Sequence, residues 1–373
     1  MDSSIQNDLQ KIKDSISNNK VNGLELIEIC QKALASETTQ ETFHEILHLG
    51  HLKNVSNSIK KLDKVDTWLR LLTKIIEKSK FNTGYLLKQR AKYYKQKIAI
   101  NIIKKGNIKT LTYSRLWESI TFIGKTLSIF EDETQNQTIG LLTNNQLNGA
   151  LVDFACLSFG FKVIPIPLNA TPKNISYIIE HAEITHIFLG GKTSNTIWNE
   201  IQNKHQIIAI SLDSKENIEG EVMQWEDFIE KGDKTTVFEV NERLNNIDMH
   251  TYQTIMYTSG TTDDPKGILF NQMNIISKRF ARALALPQIG SEDNFLCYLP
   301  LFHTFGRYFE LLGSMFWGAT YSFAESPAFN SLLNDFKIIK PTIFISIPKR
   351  WVQLYDLFDN QLELDTDEKN EIK

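Results

Sequence analysis

The stretch YTSGTTDDPKG, residues 257–267, gathers hydroxyl side chains, two glycines and a lysine into eleven positions. Glycine lets a backbone approach an anion closely and adopt positive φ, so that successive N–H groups can turn inward as a nest. Thr258, Ser259, Thr261 and Thr262 supply hydroxyls around Gly260, Lys266 supplies a point charge beside Gly267, and Pro265 stiffens the approach. That composition suits a phosphate-holding loop, and it suits a polar β-turn built on Asp263, Asp264 and Pro265 equally well. It is not a Walker A loop, because GxxxxGK[ST] is absent.

A second constellation is His44-Glu45-Ile46-Leu47-His48, a literal HExxH, with His51 three residues further on. On a helix His44 and His48 share a face, and Glu45 could serve as a base beside a zinc ion. The motif lies in a short helical stretch and lacks the glycine–histidine continuation of the metzincins. We therefore expect structural histidines there and assign no metal ligands. Cys30, Cys156 and Cys297 are far apart and odd in number, which points to a reduced, cytosolic compartment.

The elements that must position the loop follow from the pattern around it. Residues 1–97 are rich in helix signals, as in LELIEICQKAL (24–34) and VDTWLRLLTKIIEKSK (65–80), where apolar residues recur at helical spacing. From about residue 98 the texture changes. KTLTYSRLWESITFIGKTLSIF (109–130) begins extended and turns helical near Ser114. TIGLL (138–142), KVIPIPL (162–168), THIFLG (185–190) and QIIAISL (206–212) read as short buried strands. The helices QLNGALVDFACLSF (146–159) and TPKNISYIIEHA (171–182) separate them, the latter with Thr171 as cap and Pro172 at its first position. TIMY (254–257) feeds the hydroxyl loop, and Asn271 can cap the helix that follows it. NFLCYLP (294–300), a helix over 302–318, ATYSF, a helix over 330–339, TIFISI (342–347) and a helix over 349–358 continue the alternation. The last fifteen residues, DNQLELDTDEKNEIK, read as a charged tail. Strands alternating with helices predict an α/β fold with largely parallel sheets behind an N-terminal helical region, divided as 1–97 and 98–373.

Bulk properties narrow the function. The chain has 373 residues, 42% hydrophobic and 23% charged, with a net charge of −3. No basic stripe exists to drive nucleic-acid binding by counterion release. The most apolar run, ALVDFACLSFGFKVIPIPL (150–168), is interrupted by Asp153, Lys162, Pro165 and Pro167, and reads as helix, turn and strand rather than a membrane span. The N-terminus lacks a signal-peptide pattern.

The hydroxyl loop resembles the YTSGTTGxPKG signature of the adenylate-forming superfamily, with Asp264 in the variable slot and Asp263 in place of a glycine. LTYSRLWESI (111–120) looks like that family's early helix, and PLFHTFG (300–306) is similar to the region that contributes an acyl-pocket histidine. ATYSFAESPAFNSLLNDFKIIKPTIFISIPKRW (319–351) looks like a passage of the long-chain acyl-CoA synthetases. The resemblance runs over about residues 85–358. It implies a large N-terminal adenylate-forming domain of parallel-rich sheets flanked by helices. It assigns Thr258, Ser259, Gly260, Thr261, Thr262, Lys266 and Gly267 to the ATP phosphates and gives His303 the catalytic, acyl-pocket position. Arg307 and Arg350 are weaker candidates for polar contacts.

The same resemblance implies ATP, Mg²⁺ and CoA as cofactors and a fatty acid as substrate, converted to acyl-AMP and then acyl-CoA. The family's YGxTE segment, with its metal-binding glutamate, its TGD segment and its C-terminal-domain lysine have no counterpart in residues 268–373. The expectation is an incomplete domain: the front part of a longer or split enzyme, inactive by itself, with the C-terminal part as its missing partner. A peripheral membrane contact is compatible with it. The alternatives are the adenylation domain of a carboxylic acid reductase, or a non-catalytic acyl- or nucleotide-binding protein.

Overall fold

The computed structural model describes residues 2–17, 21–131, 137–213, 218–233, 239–258 and 264–364. It opens with six helices: α1 (Asp2–Ser17), α2 (Gly23–Ala35), α3 (Gln40–Gly50), α4 (Lys53–Lys61), α5 (Val65–Ser79) and α6 (Thr83–Tyr93). Local chemistry starts three of them, because Asn22, Thr39 and Asn82 each accept a hydrogen bond from a first-turn N–H. In α5 the buried residues Trp68, Leu72, Ile75 and Ile76 form one stripe, and Lys80 closes the helix in the left-handed region.

Strands and helices then alternate. β1 (Ile98–Lys104) and β2 (Asn107–Thr112) form a hairpin before α7 (Tyr113–Glu131). Next come β3 (Thr138–Thr143), α8 (Leu147–Phe159), β4 (Lys162–Pro165), α9 (Pro172–His181), β5 (His186–Gly190) and α10 (Lys192–Ile201). β6 (Ile208–Ser211), β7 (Val222–Met223), α11 (Trp225–Asp233) and α12 (Val240–Asn246) precede β8 (Tyr252–Thr258) and β9 (Lys266–Asn271). α13 (Gln272–Ala285), β10 (Asn294–Cys297) and a π-helix at Phe305–Leu311 follow, the last running into α14 (Leu312–Trp317). β11 (Thr320–Phe323), α15 (Phe329–Ile339), β12 (Ile343–Phe344) and α16 (Pro348–Leu364) complete the order.

Two sheets result. The larger runs β7-β6-β5-β3-β4-β8-β9 and is parallel apart from β9; the smaller runs β12-β10-β11-β1-β2 and is parallel apart from β2. β3 and β5 are buried at every position, as parallel strands covered on both faces must be. α8 is buried without a break from Gly149 to Phe159. The parallel-rich α/β architecture is therefore the one the alternating pattern predicts.

The N-terminal helices share this core. Buried residues from Ile5 in α1 to Phe323 in β11 belong to one continuous apolar cluster. Gly50 packs between Trp68 and Phe280, so α3 and α5 seat directly on α13. The Thr83 N–H and hydroxyl both donate to Gln272 Oε1, at 2.9 and 2.8 Å, and Arg90 Nε donates to Phe316 O at 2.9 Å.

Three local readings change. The strand expected over TIFISI shrinks to Ile343–Phe344, an edge strand paired only with β10, before Pro348 opens α16. The supposed charged tail continues α16 to Leu364, because Gln, Leu and Glu favour helix; residues 365–373 lie outside the described residues. The helix expected over 302–318 is π-helical in its first half. Among the described residues no helix is long and apolar enough to cross a membrane.

Candidate functional site

The hydroxyl loop closes the β8–β9 hairpin. The antiparallel register pairs Thr258 with Lys266, so these two residues are the loop's gateposts. Both are exposed, and Thr258 Oγ1 donates to Lys266 O at 3.4 Å. Ser259, Gly260, Thr261, Thr262 and Asp263 lie outside the described residues. Asp264 is exposed and lines a cleft of about 430 Å³ with Lys173, Glu180 and Lys204. At Gly267 packing demands the glycine: a Cβ would stand 2.7 Å from Ile255 Cγ2. Tyr257 is the last buried residue of β8, with its hydroxyl 2.7 Å from His181 Nδ1. Burial pushes that phenol up to about 12, so it stays protonated.

His303 sits where the segment after β10 turns into the π-helix. It is exposed, its N–H donates to Pro300 O at 3.0 Å, and its carbonyl accepts from Arg307 N at 2.9 Å. The Phe305 N–H donates to His303 Nδ1 at 3.3 Å, which leaves Nε2 to carry the proton of the neutral ring. That proton can be donated to an oxygen of a bound ligand. The turn requires Gly306, because a Cβ there would collide with the carbonyl oxygens of Leu299 and Pro300.

Arg307 locks this turn to the strand that feeds the loop. Its guanidinium is fully buried and grips Asp153 of α8 through Nε–Oδ2 at 2.8 Å and Nη2–Oδ1 at 2.5 Å. Nη1 donates to Thr254 Oγ1 on β8 at 2.7 Å. Burial opposes the charge on Arg307, but the Asp153 carboxylate outweighs it and holds the guanidinium protonated. Asn145, just past β3, makes a second clamp: Nδ2 donates to Leu299 O at 2.7 Å, and Oδ1 accepts from Leu301 N at 3.0 Å. Arg307 thus anchors the turn near the start of β8, and Asn145 ties together the carboxyl ends of β3 in one sheet and β10 in the other. Such ends are where open α/β sheets bind ligands.

Sequence reasoning missed Asn145, Asp153 and Thr254 as the residues that position the site. Asp153 carried a signal, as the lone charge inside an otherwise apolar helix that had to find a buried cation. Arg307 proves to be a structural anchor. Arg350 donates to Pro327 O at 2.6 Å, a contact that holds α16 to the segment before α15, and to Gln353 Oε1 at 2.7 Å within α16.

The HExxH residues are engaged elsewhere. His44 Nε2 faces Ser79 O at 3.4 Å, His48 stacks on Tyr93 at 3.5 Å, and Glu45 pairs with Lys13 at 2.8 Å. Among the described residues no three His, Cys, Asp or Glu side chains gather to hold a metal ion. An anion fits the loop's gateposts, where Thr258 offers a hydroxyl and Lys266 an ammonium without a carboxylate partner among the described residues. Among the described residues no such cluster offers ligands to a magnesium ion.

The profile of the AMP-binding enzyme family matches residues 87–371. The chain belongs to that family. Long chain acyl-CoA synthetase 7, peroxisomal, of Arabidopsis thaliana is 26% identical over 264 residues, covering 67% of this chain and 36% of the relative. The chain thus spans about a third of that relative's length. Among solved AMP-binding enzymes, a putative long-chain-fatty-acid CoA ligase from Rhodopseudomonas palustris superposes with a TM-score of 0.62 at 15% identity, covering 74% of this chain and 65% of that one. o-Succinylbenzoate CoA synthetase from Bacillus subtilis, in complex with ATP and magnesium ion, gives 0.58 at 19% identity, covering 73% and 51%. These likenesses establish the fold of an adenylate-forming N-terminal domain.

Proposed function

We propose that this AMP-binding chain is the front part of an ATP-dependent long-chain fatty acid–CoA ligase, which joins a fatty acid to AMP and passes the acyl group to CoA. The observation that carries the reading is the double clamp of Asn145 and Arg307, which fixes the His303 turn against the end of β3 and against β8, the strand that leads into the hydroxyl loop. An acyl-adenylate needs its phosphate and its acyl carbonyl held a few ångströms apart, and two sheet ends bound to each other supply that rigidity. Lys266, Thr258 and the loop residues Ser259, Gly260, Thr261 and Thr262 receive the phosphates. His303 donates through Nε2 to an oxygen at the acyl–phosphate junction, where negative charge accumulates as the carboxylate attacks. ATP and CoA are the co-substrates. The long-chain synthetase relative favours a ligase over a carboxylic acid reductase.

The test is a calorimetric titration of the 373-residue chain with a non-hydrolysable palmitoyl-adenylate analogue and with AMP. The analogue should bind more tightly than AMP, Lys266→Ala should weaken both ligands, and His303→Ala should weaken the analogue selectively. Equal binding by wild type and both variants would overturn the assignment.

A further inference from the structure

The tip of the β8–β9 hairpin reaches past the body of the larger sheet. β8 pairs with β4 at Val163–Thr254, and from Ile255 onward its ladder partner is β9 alone. β9 is itself an edge strand, exposed from Lys266 to Leu269. A two-stranded ribbon without a third neighbour is marginally stable in water. Side-chain contacts must therefore fix where Thr258 and Lys266 stand.

Such contacts exist on both faces of β8, because successive side chains alternate. Thr254 and Met256 face Arg307, whose Nη1 reaches Thr254 Oγ1 at 2.7 Å and Met256 Sδ at 3.3 Å. Ile255 and Tyr257 face α9 and join Ile175, Ile178 and Ile179 in one apolar cluster. The Tyr257 ring lies against its register partner Gly267, where a Cβ would stand 3.4 Å from Cε1. The Tyr257 hydroxyl meets His181 Nδ1 at 2.7 Å. Among the described residues this is the hydrogen bond nearest the tip that joins the hairpin to another element.

His181 is the last residue of α9, a helix started by the Thr171 cap and by Pro172 in its first turn. The imidazole is exposed, and two rings hold it in place. It stacks on Tyr177 with centroids 5.3 Å apart at 29°, and it stands edge-on to Tyr257 at 5.9 Å and 85°. Tyr177 and Lys173 of the same helix line the cleft that contains Asp264. α9 thus meets the chain on both sides of the loop, at Tyr257 and at Asp264.

We propose that His181 is a positioning residue for the phosphate site. By holding the Tyr257 hydroxyl it fixes the end of β8, and through the β8–β9 register it fixes Thr258 and Lys266 as well. The proposal rests on the reading of this hairpin as the place where ATP phosphates arrive.

The experiment compares the 373-residue chain with its His181→Phe, Tyr257→Phe and His181→Asn variants in two readouts. One is tryptic cleavage after Lys266 in the native protein without nucleotide. The other is calorimetric affinity for ATP, set against adenosine. His181→Phe keeps a ring on Tyr177, and Tyr257→Phe keeps the ring on Gly267, so each removes the hydrogen bond alone. Each should speed the cleavage and weaken ATP about fivefold, the equivalent of one hydrogen bond, with adenosine unchanged. The double variant should lose no more than either single one. His181→Asn places an amide near the position of Nδ1 and should restore both readouts toward wild type. A merely structural role would lower the unfolding temperature and leave cleavage and ATP affinity at wild-type values; that result would overturn the proposal. Tyr257→Phe removes one oxygen and keeps the test decisive where His181→Phe folds poorly. If the wild-type chain fails to bind ATP while cleavage still follows the pair, the phosphate reading of the loop falls and the anchoring by His181 stands.

Discussion

Removing Asp153 would strand the Arg307 guanidinium in the protein interior, where Thr254 and Tyr308 alone cannot balance its charge. Breaking one side of such a buried pair costs about 3–5 kcal/mol. Asp153→Ala should therefore lower the urea midpoint by that equivalent, and wild-type stability in the variant would remove the clamp from the account. A different residue-scale effect arises from His48. Burial first, and then the positive charges of Arg90, Lys13 and Lys92, lower its pKa to about 2, while burial lowers His44 and His186 to about 4. The unfolded chain takes up these protons near pH 6.5 and the folded chain resists them, so stability is full above that pH and falls as pH drops toward 4 and below. His48→Phe keeps the stack on Tyr93 and removes a buried Nδ1 that has no partner. The variant should be at least as stable as wild type and show a flatter decline between pH 7 and pH 4. An unchanged slope would mean that His48 contributes nothing to the acid sensitivity.

At the scale of elements, helix ends decide the geometry around the hairpin. Asn271 caps α13 in a reciprocal box with Asn274 and also donates to His250 O. Asn271→Ala should cost about 1 kcal/mol, read from thermal or urea unfolding. Gly318 ends α14 at φ +72°, and a Cβ there would strike the Tyr94 ring. Gly318→Ala should destabilise by about 1–3 kcal/mol, since both strain and collision oppose it; a neutral effect would show that the α14–α6 junction can relax. The cap at Asn271 was legible in the sequence, because it rests on chemistry within a few residues. The π-helix at 305–311 was not. No local signal marks a widened turn beside a long-range contact, Arg307 drawn to Asp153 on α8. Asn145 was equally silent, since its partners lie about 150 residues away, at Leu299 and Leu301.

For the molecule as a whole, the N-terminal helices serve as part of the core. Gly50 and Trp68 sit on Phe280, and a single apolar cluster joins α1 to β11. Deleting residues 1–80 should expose Ile276, Phe280 and Ala283 of α13 and yield a protein that binds hydrophobic dyes and aggregates. A soluble, cooperatively folded product would contradict that brace. The α/β class and strand order of texture could be read from alternating apolar runs, because period and punctuation are local. Which strands become neighbours could not, since β8 joins β4 across nearly 90 residues. The hydroxyl loop was visible as a string, while the clamps that hold the His303 turn emerged only from the packed sheets. We propose that the β8–β9 loop receives the phosphates of ATP. The most direct measurement is affinity labelling of the 373-residue chain with an adenosine analogue carrying a sulfonyl fluoride at the phosphate end, followed by peptide mapping. The account predicts modification of Lys266, prevented by excess ATP; labelling of other lysines with Lys266 untouched, or labelling that ATP does not prevent, would contradict it.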